Sequence, residues 1–139
     1  MKIVGIGIDI IDNNRIKSLL KNNSFINRTF SKKEISVSKR ILNKTNFFSK
    51  RFAAKEAFSK ALGTGFRNNL NFNDIEIVND KLGKPYYLIN NKIKQIIKKK
   101  KKVNNFKLFL SISDEKDYSV AFIIIQKVSW FQKKQLKRI

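Results

Sequence analysis

The pattern of apolar and polar positions predicts five strands and four helices along the chain. Period-two alternation or runs of β-branched residues predict strands over 2–11, 73–79, 86–89, 106–113 and 118–127. Apolar residues recurring every three to four positions predict helices over 13–21, 31–43, 46–62 and 91–102. Because the strands form hairpins between helices, the sequence predicts an α+β fold, with a mainly antiparallel sheet packed against one long helix and shorter helices.

Local signals mark several boundaries of these elements. Ser31 followed by Glu34 is a capping-box pattern at the start of a helix, and Gly63 is placed to end the long helix. The segments 80–85 and 114–117 have the composition of tight turns. Because no linker or repeat interrupts the chain, the sequence predicts one domain over 1–128, followed by a basic helical tail over 129–139.

The first predicted strand has two unlike faces. Alternation places Gly5, Gly7 and Asp9 on one face, whereas the other face carries Val4, Ile6, Ile8 and Ile10. The second face is therefore predicted to pack in the core. Glycines permit close approach by a ligand or by another backbone, so a carboxylate at the end of a glycine strip indicates a site. The alternative is an Asp that caps the following helix, as Asp12 is placed to do.

The long helix combines an apolar stripe with a charged pair. The stripe is formed by Ala54, Phe58, Ala61 and Leu62. Glu56 and Lys60 are four residues apart and lie one above the other on a neighbouring face, with Ser59 alongside. This pair is either an ordinary surface ion pair, worth about 0.3–0.5 kcal/mol, or part of a site that another element approaches closely over the alanines.

The amino-acid composition excludes several kinds of catalytic and metal site. The chain contains neither Cys nor His, which excludes thiol catalysis, His-ligated zinc and Ser-His-Asp hydrolysis. A net charge of +21 indicates a polyanionic partner, although a bias toward Lys, Ile and Asn in an AT-rich genome is an alternative source of the excess. Few of the basic residues are Arg, the usual reader of phosphate and guanine, so no specific nucleic acid is expected as a partner.

The five lysines at 98–102 end a predicted helix. Cations are favoured there by the helix dipole, and the run lacks the interleaved aromatic residues that stack on bases. These lysines are therefore predicted to form a solvated helix terminus. The chain has no run of about 18 apolar residues and does not start as a secretory leader, so no membrane association and a cytoplasmic location are expected.

Five motifs, in order, resemble those of the holo-[acyl-carrier-protein] synthases, a family of 4'-phosphopantetheinyl transferases. They are Gly5–Ile10 with Arg15-Ile16, Phe30–Glu34, Arg51–Gly65, Asn79-Asp80 with Gly83–Pro85, and Leu110–Ser113. The Phe-Ala-Ala-Lys-Glu-Ala helix followed by Gly-Thr-Gly is the most specific of the five. The resemblance covers about residues 1–128 and implies the 4'-phosphopantetheinyl transferase fold, assembled as a homotrimer with active sites between subunits.

The resemblance implies an enzyme of fatty acid biosynthesis that transfers the 4'-phosphopantetheine arm of coenzyme A to a serine of apo acyl carrier protein, releasing adenosine 3',5'-bisphosphate. Asp9 and Glu56 would be ligands of Mg²⁺, or of Mn²⁺, completed by waters and substrate phosphates. Lys60 would stabilise phosphate charge, and Glu56 would accept the serine proton, either directly or through a metal-bound water. Coenzyme A would contact Asp9, Phe52, Glu56, Ser59, Lys60, Gly63, Thr64, Gly65, Lys84 and Pro85.

The same resemblance places the acidic carrier protein on the helix after the first strand. The residues that would receive it are Arg15, Lys17, Lys21 and Arg28. One position departs from the family, because Asp114 stands where His commonly follows Ser-x-Ser. An anion there is not expected to bind a coenzyme A phosphate. The alternative to an enzyme is a small basic RNA- or ribosome-associated protein without catalysis, which would leave the carboxylates and glycines unexplained.

Overall fold

The strands form two antiparallel sheets in the computed structural model, which describes residues 2–67, 69–129, 131, 134 and 135. The strands are β1 (Lys2–Asp12), β2 (Glu76–Asn79), β3 (Pro85–Leu88), β4 (Phe106–Asp114) and β5 (Tyr118–Lys127). The helices are α1 (Asn13–Leu19), α2 (Asn23–Thr29), α3 (Lys32–Ser38), α4 (Lys44–Leu62) and α5 (Asn91–Lys101). One sheet has the order β1-β5-β4, and β2 and β3 form a separate hairpin. The predicted α+β class is confirmed.

The long helix α4 lies across β1 and β5 and forms the centre of the core. The predicted stripe of Ala54, Phe58, Ala61 and Leu62 is buried, as are the aromatic residues of the first turns of α4. Gly63 ends the helix with a φ of +83°, and its N–H donates to the carbonyls of Ser59 and Lys60. Only glycine adopts this left-handed conformation at little cost, so the predicted stop has a clear local cause.

The prediction that the isoleucine face of β1 packs in the core is wrong. Gly7 is buried, whereas the side chains of Ile6, Ile8 and Ile10 are 57%, 57% and 63% exposed. A Cβ atom at Gly7 would lie 1.9 Å from the carbonyl oxygen of Ala57. The backbone of α4 thus packs directly on the glycine face, because the missing side chains let the helix approach more closely than an isoleucine face would allow.

The other side of the three-stranded sheet is consequently an exposed apolar surface. We call it the outer face; it comprises Ile6, Ile8, Ile10, Phe109 and Phe122, all at least 36% exposed. Within the sheet, Ile8 of β1 lies directly opposite Phe122 of β5, which is the strand between β1 and β4. An apolar patch that spans three strands is typical of a protein–protein interface.

Several element boundaries differ from those predicted from the sequence. The segment that becomes α2 was not predicted to be helical, yet the side chain of Asn22 caps it by accepting from the N–H groups of Ser24 and Phe25. The predicted strand over 73–79 begins only at Glu76, because residues 72–74 form a 3-10 turn. Helices α1 and α3 end earlier than predicted, at Leu19 and Ser38. Most of the predicted tail helix over 129–139 lies outside the described residues.

The capping box predicted at the start of α3 is confirmed. The Ser31 hydroxyl accepts from the N–H of Glu34, and the Glu34 carboxylate accepts from the N–H of Ser31. Within the ranges that the structure describes, no helix is long and apolar enough to span a bilayer.

Candidate active site

Asp9, Glu56 and Lys60 come together where β1 crosses α4. Asp9 is on the glycine face of β1, so its side chain points toward α4 and is only 13% exposed. Lys60 Nζ lies 2.9 Å from Asp9 Oδ1, and the lysine is itself 53% exposed. The lysine therefore pairs with the strand carboxylate, whereas spacing along the helix placed it beside Glu56. Glu56, which is half-buried, is the second acidic residue of the cluster.

The electrostatics of Glu56 follow from this arrangement. Burial raises the pKa of the Glu56 carboxyl above its ordinary value, and the negative charge of Asp9 raises it further. The positive charges of Lys60 and Arg15 act in the opposite direction. Two carboxylates within electrostatic reach repel each other, so the cluster would be stabilised by a further cation between them.

These donors fit a magnesium ion. Mg²⁺ prefers oxygen ligands and is usually held by one or two carboxylates, with waters and substrate phosphates completing its coordination. Across residues 2–67 and 69–129, no group of three or more Asp, Glu, His or Cys side chains could hold a metal on its own. A metal site built from Asp9 and Glu56 would thus depend on water or on a bound ligand for its further oxygen donors.

Helix α4 is held rigidly at this point. Its backbone contacts Gly5 and Gly7 of β1, and the hydroxyl of Tyr87 donates to the Ala54 carbonyl at 2.6 Å. Burial raises the pKa of Tyr87, so this phenol remains a hydrogen-bond donor at neutral pH. The backbone under Glu56 is therefore fixed from two sides by contacts that do not involve its carboxylate.

The neighbour of Glu56, Lys55, belongs to a buried ion pair on a different face of α4. Its ammonium lies 2.7 Å from Glu34 Oε1 and also donates to the carbonyls of Phe72 and Ile75. Three acceptors match the three protons of the ammonium group. Burial lowers the pKa of Lys55, and the charge of Glu34 opposes that shift. Lys55 thus connects α4 to α3 and to the segment before β2.

The other residues expected to bind coenzyme A occupy different settings. The Phe52 ring is buried and stacks on Phe72 with centroids 5.4 Å apart. The Ser59 side chain is also buried and donates to the Glu56 carbonyl at 2.8 Å. Gly63 and Gly65 both have positive φ, in the loop that follows α4. Phe52 and Ser59 therefore support the helix, whereas in the loop Gly63 is exposed and Thr64 and Gly65 are half-buried.

Lys84 and Pro85 lie on the β2–β3 hairpin, which packs beside β4. Strands β1 and β4 are the two edges of the three-stranded sheet, separated by β5, and two strand spacings amount to about 10 Å. A single protomer therefore does not bring these two residues to Asp9.

The residues expected to receive the carrier protein are all exposed. Arg15 is on α1, and its charge reaches Glu56, where it lowers the pKa. Lys17 is in the last turn of the same helix. Lys21 was predicted to lie within the helix over 13–21, but α1 ends at Leu19 and Lys21 lies in the turn that follows. Arg28 is in the last turn of α2. Of the four residues, Arg15 is thus the one linked electrostatically to the carboxylate cluster.

A cavity that sequence reasoning missed lies between α3, α4 and the β2–β3 hairpin. It has a volume of about 570 Å³, and its lining includes Lys33, Lys50, Arg51 and Tyr86. Asp114 lies at its edge, where it accepts from Asn46 Nδ2 at 2.9 Å and is 3.9 Å from Lys50 Nζ. Since the lining comes from separate segments, no local pattern could have indicated it.

Comparison with known proteins assigns this arrangement to a family. The sequence profile of the 4'-phosphopantetheinyl transferase superfamily matches residues 5–123. The holo-[acyl-carrier-protein] synthase of Pelagibacter ubique is 63% identical over 127 residues, which are 91% of this chain and 99% of the relative.

Solved structures agree with the sequence comparison. The holo-[acyl-carrier-protein] synthase of Neisseria meningitidis superposes with a TM-score of 0.82 at 36% identity, over 91% of this chain and all of that chain. The Bacillus anthracis holo-(acyl-carrier-protein) synthase, solved in complex with CoA (3',5'-ADP), superposes with a TM-score of 0.75 at 38% identity, over 91% of this chain and 98% of that chain.

Proposed function

This chain belongs to the holo-[acyl-carrier-protein] synthases of the 4'-phosphopantetheinyl transferase superfamily, and we propose that it acts with Mg²⁺ in fatty acid biosynthesis to modify a serine of apo acyl carrier protein. The serine oxygen bonds to the phosphorus that carries the pantetheine arm of coenzyme A, and the bond from that phosphorus to adenosine 3',5'-bisphosphate breaks. The observation that carries the proposal is the meeting of Asp9, Glu56 and Lys60 at the junction of β1 and α4.

Each residue of this cluster has a role that suits its surroundings. Asp9 and Glu56 would hold Mg²⁺, or Mn²⁺ in its place, and the ion would neutralise the charge of the coenzyme A pyrophosphate. Lys60 is half-exposed on a flexible stem, so it can leave Asp9 and contact the phosphate that carries the transferred arm. Glu56 would accept the serine proton, directly or through a metal-bound water.

Mass spectrometry of a carrier protein tests this function directly. The chain would be incubated with coenzyme A, Mg²⁺ and an apo acyl carrier protein. We expect the carrier to gain one phosphopantetheine on its serine, and we expect EDTA to abolish the gain. If no tested carrier gains mass and the chain instead binds RNA tightly, the noncatalytic alternative is favoured.

We also propose that the active protein is a homotrimer. The outer face is an apolar surface on each protomer, and the hairpin with Lys84 and Pro85 lies at the sheet edge opposite the Asp9 edge. An assembly in which these two edges of neighbouring protomers meet would complete the coenzyme A site. In this assembly, Lys84 and Pro85 of one protomer would lie near Asp9 of its neighbour, although these residues are far apart within one protomer.

Ile8→Lys tests the trimer. A lysine at the centre of the outer face would bring like charges together in the assembly and is expected to give a monomer with little transfer activity. Sedimentation velocity measures the change in mass. Leu42→Lys is the matched control, because Leu42 is fully exposed and lies outside the outer face. An Ile8→Lys protein that still sediments like the wild type would contradict this use of the face.

Arg15→Glu tests where the carrier protein binds. Arg15 is exposed and close enough to Glu56 to affect its pKa, so an acidic helix bound there would bring its serine near the cluster. Losing one charge-assisted hydrogen bond is expected to raise the carrier KM by about tenfold or more, with the KM for coenzyme A little changed. The effect should weaken between about 0.1 M and 1 M salt.

The control is Arg40→Glu, which reverses an exposed charge just after the end of α3. An unchanged carrier KM in Arg15→Glu, together with a raised one when the lysines at 98–102 are neutralised, would place the carrier at the end of α5.

A further inference from the structure

The corner where β1 turns into α1 is held by one buried amide. Asn13, the first residue of α1, is only 2% exposed. Its Nδ2 donates to the carbonyls of Glu115 and Lys116 at 2.9 and 3.1 Å, and its Oδ1 accepts from the Ser119 hydroxyl at 2.7 Å. The backbone N–H of Asn13 donates to the carbonyl of Asp117 at 2.8 Å. These hydrogen bonds join the start of α1 to the β4–β5 turn and to the beginning of β5.

The side-chain contacts of Asn13 require an amide. Both N–H donors of the amide and its carbonyl oxygen are used, whereas a carboxylate has no donor and an apolar side chain has neither donor nor acceptor. Ser119 is fully buried, so loss of the amide would remove the acceptor of a hydroxyl that water does not reach. The Asn13 contacts therefore fix the first turn of α1 at one place and in one orientation.

The β4–β5 turn is also tied to α4. Asn46, in the first turn of α4, donates through Nδ2 to the Glu115 carbonyl at 3.0 Å and to the Asp114 carboxylate at 2.9 Å. The Glu115 carbonyl thus accepts from an asparagine of each helix, which its two lone pairs allow. The turn connects the N-terminal ends of α1 and α4, and α4 is the helix that carries Glu56.

This connection sets the direction in which Arg15 projects. Asn13 and Ile16 are three residues apart, so they lie on one face of α1, and both are buried. Arg15 lies between them in sequence and is exposed. With Asn13 fixed by the turn and Ile16 fixed in the core, α1 cannot rotate or swing without breaking buried contacts. The guanidinium is thereby kept close enough to influence the Glu56 carboxyl.

We propose that Asn13 is a positioning residue for carrier-protein binding: through the β4–β5 turn it holds α1 so that Arg15 meets the acidic carrier beside the carboxylate cluster. The inference rests on the proposed function, because it takes the carrier protein to bind at Arg15. Asn13 is too deeply buried to contact the carrier itself. A loosely held α1 would still present Arg15, but binding would then have to order the helix, and this cost lowers the affinity.

Calorimetric titration with an apo acyl carrier protein whose target serine is replaced by alanine tests this role on the full-length chain. We expect Asn13→Ala to raise the carrier Kd by about three- to tenfold and the Kd of coenzyme A by less than about twofold. Asn14→Ala is the matched control, because it removes an exposed amide from the same turn of α1. This variant should change neither Kd by more than about twofold.

A double variant shows whether Asn13 acts through Arg15. Once Arg15→Ala has removed the guanidinium, Asn13→Ala should raise the carrier Kd by less than about twofold, because the direction of Arg15 no longer matters. A merely structural role would weaken carrier and coenzyme A binding alike, whether or not Arg15 is present. Ser119→Ala removes one of the three side-chain hydrogen bonds of Asn13. It should weaken carrier binding in the same direction by less, and it replaces Asn13→Ala if that variant does not fold.

Four results would overturn the proposal. They are a wild-type chain that does not bind the carrier, an unchanged carrier Kd in the folded variant, equal losses for carrier and coenzyme A, and a full effect of Asn13→Ala in the absence of Arg15. The alanine carrier cannot be modified, so its binding is measured independently of transfer. A chain that shows the expected changes in Kd but does not modify the serine carrier would refute the proposed function and leave the role of Asn13 in place.

Discussion

Asp9→Asn and Glu56→Gln are each expected to lower kcat/KM for phosphopantetheine transfer by about 10²–10⁴-fold. Either substitution removes one negative charge from the proposed Mg²⁺ site, and Glu56→Gln also removes the base proposed for the serine proton. The assay is transfer to apo carrier protein at saturating Mg²⁺. Glu115→Gln, which changes an exposed acid in the β4–β5 turn, serves as the control and should retain full activity.

Glu56→Gln is expected to lower the activity without lowering the free energy of unfolding. The pKa of Glu56 is higher in the folded chain than in the unfolded chain, because of burial first and Asp9 second. Ionised Glu56 therefore costs stability at neutral pH, and this cost disappears as the pH falls below the folded-state pKa. In the absence of metal, the glutamine variant should be at least as stable as the wild type at pH 7, with the difference vanishing in acid. Urea unfolding at several pH values measures this.

Two outcomes would contradict the metal pair. One is near-wild-type turnover in either variant at saturating Mg²⁺. The other is a loss of activity that merely follows a loss of folded protein, because the half-buried carboxylate would then be a structural element.

Lys55→Met is expected to lower the free energy of unfolding by about 3–5 kcal/mol, the usual cost of removing one partner from a buried ion pair. The substitution would leave the Glu34 carboxylate buried, with Arg51 Nε at 3.8 Å as its nearest remaining cation. It would also leave the carbonyls of Phe72 and Ile75 without the donor that they share. Urea denaturation followed by circular dichroism measures the loss.

A matched lysine and a double variant separate this effect from general loss of charge. Lys50→Met removes a lysine from a partly exposed pair with Asp114 and should cost less than about 1 kcal/mol. Glu34→Gln/Lys55→Met should be more stable than the sum of the two single losses implies, because it leaves no unpaired buried charge. Strictly additive losses would argue against direct coupling. A variant that unfolds like the wild type but loses kcat would place Lys55 in the chemistry.

Several features of this protein were determined by local sequence alone. The Ser31–Glu34 capping box and the Gly63 helix stop depend on contacts within a few residues, and both are confirmed. The α4 helix and the β4–β5 hairpin follow from periodicity, and the order of five motifs identified the family. Asp9 and Glu56 were candidates because both are acids on small-residue surfaces, and the family resemblance implied that they form a metal pair. Their roles remain predictions.

Only the tertiary structure decided which face of β1 is buried. Alternation distinguishes two faces but does not identify the one that α4 contacts, and apolar content indicated the isoleucines. The buried face depends on how closely α4 can approach β1. The α4 backbone fits against Gly5 and Gly7, and it would not fit against a side chain at either position. The pairing of Lys60 with Asp9 and the burial of Lys55 against Glu34 have the same origin. Each joins residues more than 20 positions apart, and a pattern read within one helix or strand carries no information about such contacts.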